Sequence, residues 1–102
     1  MNDSTKTASL AMREIIDGYL VGKYDRNEAV KMLIFDVDHD VIHGSDTEFI
    51  VTDCYHSIKH LIEPGFETSD FELKYFLECF DGQRAYDLQE KIELTRKHFN
   101  SV

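Results

Sequence analysis

Cysteine and long apolar runs are both scarce in this chain. The 102 residues include two cysteines, Cys54 and Cys79, and neither belongs to a C-x-x-C pair. Two cysteines are too few for the disulfide scaffold of a small secreted domain. No apolar run approaches the ~18 residues of a membrane-spanning helix, and the polar segment 1–9 does not resemble a signal peptide. We therefore expect a reduced, cytoplasmic protein that has no membrane partner.

Basic residues are scarce in the middle of the chain. Asp and Glu together number 20 and Lys and Arg 11, which gives a formal net charge of −9. Segment 32–73 contains ten acidic residues and a single base, Lys59, so this segment accounts for the whole excess. Nucleic acids and anionic membranes attract positively charged surfaces. The charge therefore argues against both as direct partners and favours a basic protein partner.

Glycine, proline and capping residues mark the ends of the expected helices. Gly22, Gly44, the Pro64-Gly65 pair and Gly82 divide the chain into five pieces. In each of the last four pieces, a Ser or Asp is followed three residues later by Glu, the spacing of a helix-capping box. The predicted helices run from about Thr7 to Val21, from Asp25 to between Asp36 and His43, from Ser45 to just before Pro64, from Ser69 to just before Gly82, and from Asp87 onwards.

The short connections between these helices predict an all-α fold. We expect a compact bundle of four to five antiparallel helices in a single domain over residues 1–102, with residues 1–6 disordered. One alternative stays open at Leu33-Ile34-Phe35, because a short apolar run can also be a buried strand. The capping signal before this run favours a helix. The last helix is expected to bury an apolar face formed by Leu88, Ile92, Thr95 and Phe99.

The segment Ile34-Phe35-Asp36-Val37-Asp38-His39-Asp40-Val41 resembles two known motifs. An apolar run followed by D-x-D is similar to the first motif of haloacid-dehalogenase-type phosphatases, where the first Asp is the nucleophile and the second the acid/base. That family has Thr or Val where Asp40 stands, and its other motifs need a much longer domain. The three aspartates also match the start of an EF-hand loop, but its sixth and twelfth positions hold Val41 and Thr47 instead of Gly and Glu. We therefore interpret the segment as a solvated acidic stretch, and expect neither an enzyme nor a bound cofactor.

Histidines occur in two pairs at helical spacing, His39/His43 and His56/His60. Two imidazoles on one helix face can hold zinc or nickel, and Asp53, one turn before His56, could add a carboxylate. The chain has no H-E-x-x-H motif. We predict surface histidines and no metal site, with a His-based metal-binding regulator as an alternative.

Cysteines and tyrosines each allow a functional and a structural interpretation. Cys54 and Cys79 stand next to aromatic residues, so we expect buried small hydrophobes in preference to activated nucleophiles. Tyr24, Tyr55 and Tyr86 are harder to place in the core. Each is either an exposed interface residue beside carboxylates or a core-edge residue whose hydroxyl reaches water.

The start of the chain resembles that of bacterial immunity proteins. The sequence Tyr19-Leu20-Val21-Gly22-Lys23, followed by Glu28 on a second helix, is similar to the opening of immunity proteins of the colicin D type. Immunity proteins of contact-dependent growth inhibition systems are also similar in size and charge. The resemblance implies a cytosolic inhibitor, and its partner would be a basic toxin domain with RNase or DNase activity.

An inhibitor of such a toxin needs carboxylates that can cover a cationic substrate cleft. Complementary charge of this kind also accelerates association. We predict that the partner-binding residues surround the connection between the second and third helices, and that they are Asp36, Asp38, Asp40, Asp46, Glu48, Asp53 and Tyr55. The alternative is another acidic protein-binding module, such as a nucleic-acid mimic or a phage-type inhibitor.

Overall fold

The computed structural model describes residues 3–44 and 48–100, and residues 99 and 100 by their backbone alone. These residues form six α-helices and no strand. The elements are α1 (Asp3–Leu20), α2 (Arg26–Asp36), α3 (His39–Ile42), α4 (Phe49–Lys59), a 3-10 turn (His60–Ile62), α5 (Asp70–Phe80) and α6 (Leu88–Asn100). The all-α prediction is therefore confirmed, and the alternative of a strand at residues 33–35 is wrong.

The first helix is longer than the sequence pattern predicts. It begins at Asp3, inside the segment that was expected to be disordered. Thr5 is 1% exposed, and the hydroxyl of Ser9 donates a hydrogen bond to its carbonyl oxygen at 2.9 Å. Burial of this early turn explains why helix forms before Thr7. The other end is as predicted, because Gly22 has a φ of 83° and the following amide of Lys23 donates to the carbonyl of Gly18, as in a glycine-terminated helix.

The second predicted helix is divided into two. α2 ends at Asp36, and Val37 adopts an extended conformation. Asp38 then begins the short α3, since its carboxylate accepts a hydrogen bond from the amide of Asp40 at 2.8 Å. This break produces six helices where four to five were expected.

Capping determines the start of three further helices as predicted. Asp25, Ser69 and Asp87 each accept a hydrogen bond from the amide three residues later. The exception is α4, which begins at Phe49 with Glu48 as its N-cap residue. Its predicted start, Ser45, lies outside the described residues.

One hydrophobic core holds most of the helices together. α1 packs against α2, α4 and α5, and its inner face contributes Met12, Ile15 and Ile16, each at most 2% exposed. Leu33 and Phe76 meet them from α2 and α5, both fully buried. The radius of gyration of 13.1 Å is that of a compact domain of this size.

The last helix is attached differently from the others. α6 packs mainly against α5, and Lys91, 6% exposed, is the one buried residue among its described side chains. Leu88 and Ile92, which were expected to face the core, are 38% and 39% exposed. For these two residues the predicted apolar face is therefore wrong, because Lys91 occupies the inward position. Thr95, from the same predicted face, is half-buried, and the side chain of Phe99 lies outside the described residues.

Candidate docking surface

The solvent-facing side of α2 carries apolar side chains. Ala29, Val30 and Leu33 form its buried face. Phe35 follows Leu33 by two residues, a rotation of about 200° around the helix, so it points away from the core. It is 90% exposed, and the neighbouring Ile34 is 63% exposed. A large aromatic side chain that the core does not use is typical of an interaction site.

Carboxylates follow these apolar residues directly. Asp36, Asp38 and Asp40 are all exposed. Because the helix breaks at Val37, Asp36 ends α2, whereas Asp38 caps α3 and Asp40 lies in its first turn. Asp36 and Asp38 also border a cavity of about 210 Å³ beside the first turns of α1. We call the set Ile34, Phe35, Asp36, Asp38 and Asp40 the α2–α3 surface. It combines two apolar side chains in the last turn of α2 with three carboxylates at and after the break between the helices.

Glu48, another predicted carboxylate, does not join this surface in the structure. Glu48 is exposed and borders a separate cavity, together with Arg13 and Arg84. Asp46 lies outside the described residues. The α2–α3 surface therefore contains three of the six carboxylates that the sequence predicted.

Asp53 is a partly buried residue of α4. Its side chain is 17% exposed and lies 2.7 Å from the Nζ atom of Lys91, whose side chain is 7% exposed. The hydroxyl of Tyr86 donates to the same carboxylate oxygen at 2.6 Å. Because a buried charge needs a charged or hydrogen-bonding partner, these contacts give Asp53 a structural role. The expectation that it belongs to an exposed acidic surface is wrong.

Lys91 joins three helices through two carboxylates. Its Nζ atom contacts Asp53 of α4 and lies 3.2 Å from Oε2 of Glu72 in α5. The same ammonium group lies 4.9 Å from the centroid of the Phe76 ring. We call Asp53, Glu72, Tyr86 and Lys91 the Lys91 network. Through this network, α6 makes a polar contact with α4 and α5.

Tyr86 supports this network as a hydrogen-bond donor. Burial and the negative charge of Asp53 raise the pKa of its phenol above the ordinary value. The phenol therefore stays protonated at neutral pH and continues to donate to Asp53. Pattern analysis of the sequence missed the network because Asp53 and Lys91 are 38 residues apart.

The tyrosines divide between core and core edge. Tyr55 is 3% exposed, so it is a core residue and cannot serve as an exposed anchor in this structure. Tyr24 is partly buried, and its hydroxyl donates to the carbonyl oxygen of Ile15 at 2.7 Å. Its ring packs so closely on Gly18 that a Cβ atom there would collide with it, which explains a glycine inside α1.

The histidines approach one another within one predicted pair, His39/His43, and also between the two pairs, which the sequence did not predict. The ring centroids of His39 and His43 are 4.3 Å apart, and those of His43 and His56 are 5.5 Å apart. His60 instead contacts Glu63, with 2.9 Å between Nδ1 and Oε2. Over residues 3–44 and 48–100, no group of three or more His, Cys, Asp or Glu side chains is arranged to hold a metal ion.

Partial burial and neighbouring positive charge affect His56. Burial has the largest effect and lowers its pKa, and the charges of His43, Lys59 and His60 lower it further. The carboxylate of Asp53 acts in the opposite direction, but it is already engaged by Lys91 and Tyr86. At neutral pH, the folded protein therefore favours the neutral imidazole of His56.

The two cysteines are free thiols in different environments. Cys54 is fully buried, and burial raises the pKa of its thiol well above the ordinary value. Cys79 is half-buried, and burial again raises its thiol pKa. Neither environment favours the thiolate that a nucleophile requires.

Comparisons with known proteins add no family assignment. Searches against protein-family models, curated proteins and solved structures found no significant match for this chain. In the part of the chain that the structure describes, no helix combines the length and apolar character needed to cross a membrane. Any function must therefore be inferred from the surfaces described above.

Proposed function

We propose that this chain is a binding protein that docks its α2–α3 surface onto a basic protein, as an immunity protein docks onto a nuclease-type toxin domain. The observation that carries the proposal is the 90% exposure of Phe35 beside three exposed aspartates. Interfaces typically combine a few buried aromatic anchors with surrounding charges that direct association. The α2–α3 surface contains both elements within seven residues of sequence.

Phe35 has the properties of an anchor. It contributes nothing to the core, yet a fully buried Phe side chain stabilises a complex or a fold by roughly 1.5–3 kcal/mol. Ile34 extends the apolar area along the same turn. An apolar pair of this kind gains stabilisation only when a partner covers it.

The aspartates determine which partner is compatible. The chain has a net charge of −9, and the three carboxylates of the α2–α3 surface outnumber the exposed base one turn before Phe35, Lys31. A nuclease must present cationic groups to the phosphates of its substrate, so its substrate cleft is complementary to this surface. The resemblance of the Tyr19–Lys23 segment to immunity proteins supports the same class of partner.

The partner can be recovered and then used in a kinetic test. The full chain, immobilised, captures interacting proteins from the organism that encodes it, and mass spectrometry identifies them. Association and dissociation rates are then measured with the purified partner. We expect Phe35→Ala to raise the dissociation rate about tenfold or more, since it removes an anchor. Val21→Ala, at an exposed residue outside the surface (64% exposed), is the matched control.

The activity of the recovered partner separates the two candidate functions. A partner whose RNase or DNase activity the chain inhibits identifies an immunity protein. A basic partner without nuclease activity identifies another acidic binding module. Equal dissociation rates for Phe35→Ala and Val21→Ala would contradict the α2–α3 surface as the interface in either case.

A further inference from the structure

A cavity of about 460 Å³ lies on a different part of the molecule from the α2–α3 surface. It is bordered by α1, by the start of α4 and by the end of α5 with the following loop, and no residue of the α2–α3 surface lines it. Its volume is within the range of small-molecule binding sites, about 300–1,000 Å³. Leu10, Ile50 and Phe80 supply apolar walls.

Leu10 is the least expected of these wall residues. It is 63% exposed although it stands in the middle of α1. A ligand with an apolar body would remove this side chain from water, which favours binding. Small-molecule sites commonly have such mainly apolar walls with a few polar groups that orient the ligand.

The side chains that line the cavity include more bases than acids. Lys6, Arg13 and Arg84 line it, and Glu48 is the acidic residue among its lining side chains. These three bases are a substantial share of the 11 in a chain with a net charge of −9. The lining itself therefore carries more positive than negative side chains.

Ion pairs hold the two arginines in place. Arg13 makes a two-pronged contact with Asp81, with Nε to Oδ1 at 2.6 Å and Nη2 to Oδ2 at 3.2 Å. Arg84 contacts Glu78, with 3.1 Å between Nε and Oε2. Arg13 also contacts Glu14, and Arg84 also contacts Glu90, each at 3.3 Å. None of these four carboxylates lines the cavity. These carboxylates hold the guanidinium groups beside the cavity and compensate their charge. Lys6 is therefore the lining base whose charge is left for a ligand.

We propose that this cavity binds a small amphiphilic anion, with an apolar body against Leu10, Ile50 and Phe80 and a carboxylate head paired with Lys6. This activity is independent of the proposed docking function, because the two use separate residues of the described structure. Binding requires no chemical step and no metal. The charges of the arginines are compensated by their carboxylate partners, and Lys6 supplies the charge that pairs with the ligand.

Cys79 provides a reporter for occupancy. Its half-buried thiol lines the cavity, whereas Cys54 is fully buried. A maleimide should therefore react with Cys79 first in the folded protein. The probes are decanoate and decyltrimethylammonium, which have the same apolar chain and opposite charge, each used below its micelle concentration.

We expect decanoate to slow the modification of Cys79, and decyltrimethylammonium to have little effect. Equal protection by the two probes would show an apolar surface without selectivity for anions and would overturn the proposal. No protection by decanoate would overturn it as well. Far-ultraviolet circular dichroism in each probe confirms that the fold is retained.

Two pairs of variants locate the binding residues. Lys6→Glu should weaken protection by decanoate up to about fivefold, the upper end for one exposed ion pair. Lys97→Glu, the same charge change on α6, should not weaken it. Leu10→Asp should weaken it about tenfold or more by placing a charge on the apolar wall. Val21→Asp is the control at matching exposure, 64% against 63%. Equal effects within either pair would overturn the assignment of the cavity.

Discussion

The α2–α3 surface and the Lys91 network both use aspartates of the acidic segment 32–73, but in opposite surroundings. Asp36, Asp38 and Asp40 are exposed, and exposed apolar side chains precede them. Asp53 is 17% exposed and shares a buried ammonium group with Glu72. The three exposed aspartates can therefore contact a partner protein, whereas Asp53 is already paired with Lys91 inside the fold.

The largest expected effect follows from removing the buried cation. Lys91→Met keeps most of the side-chain volume but leaves Asp53 and Glu72 without their positive partner. We expect a loss of about 3–5 kcal/mol in the free energy of unfolding, the range for a buried ion pair broken on one side. Urea denaturation measures it.

The exposed lysine Lys97 on the same helix is the control for that variant. Lys97→Met should change the free energy of unfolding by less than about 0.5 kcal/mol. Adding Asp53→Asn and Glu72→Gln to Lys91→Met should recover much of the lost stability, because no buried charge then remains. A loss below about 1 kcal/mol for Lys91→Met alone would show that the network is only a surface ion pair.

A smaller effect is expected from the hydrogen bond within the same network. Tyr86→Phe removes the hydroxyl that donates to Asp53 at 2.6 Å. We expect a loss of about 1.5–3 kcal/mol, typical of a hydrogen bond to a charged group, in the same denaturation measurement. Tyr19→Phe, at another partly buried tyrosine, is the matched control. If the two variants lose the same amount, the Asp53 contact has no special role.

A pH effect is expected from His56, whose ring lies close to that of His43 and whose pKa is influenced by burial and by Asp53. Its pKa is lowered in the folded protein, so the unfolded chain takes up a proton more readily. The stability that comes from the neutral imidazole is present above the ordinary pKa of about 6.5 and is lost as the pH falls below it. We expect the free energy of unfolding to decrease from pH 7 towards pH 5 (pH values chosen to span about 6.5), with a shallower decrease in His56→Gln. Identical slopes for the two proteins would remove His56 as the cause.

The smallest effect on stability is expected on the α2–α3 surface. Replacing Asp36, Asp38 and Asp40 by Asn removes three charges, and an Asn in place of Asp38 can still cap α3. We expect the free energy of unfolding to change by about 0.5 kcal/mol or less, since these side chains are exposed. A loss similar to that of Lys91→Met would show that the surface stabilises the fold and is not reserved for a partner.

Local signals explain how much of the structure the sequence predicted. Capping residues such as Asp25 and Ser69 contact amides three residues away, so spacing alone locates those helix starts. The break at Val37 was one of two options, because Asp36, Asp38 and Asp40 suit either a helix end or a solvated continuation. The early start of α1 depends on burial of Thr5 by other parts of the chain, which no local pattern reveals.

Long-range contacts explain what the sequence did not reveal about the candidate site. Asp53 was grouped with its neighbours in sequence, whereas its partners Tyr86 and Lys91 are 33 and 38 residues away. Tyr55 is buried for the same reason, through packing between helices. Phe35 belongs to an apolar run in the sequence, and only the helical register shows that it points to solvent. Charge can be counted in the sequence, but its exposure is a property of the packed bundle.

The most direct test of the docking surface is the dependence of the association rate on salt, measured with the recovered partner. The variant with Asn at positions 36, 38 and 40 is compared with Glu63→Gln/Glu67→Gln/Asp70→Asn, which removes three exposed charges from the same acidic segment. We predict that neutralising the α2–α3 surface slows association about tenfold or more at low salt and flattens the salt dependence. The control should retain most of both. Equal slowing by the two variants would contradict the assignment of docking to the α2–α3 surface.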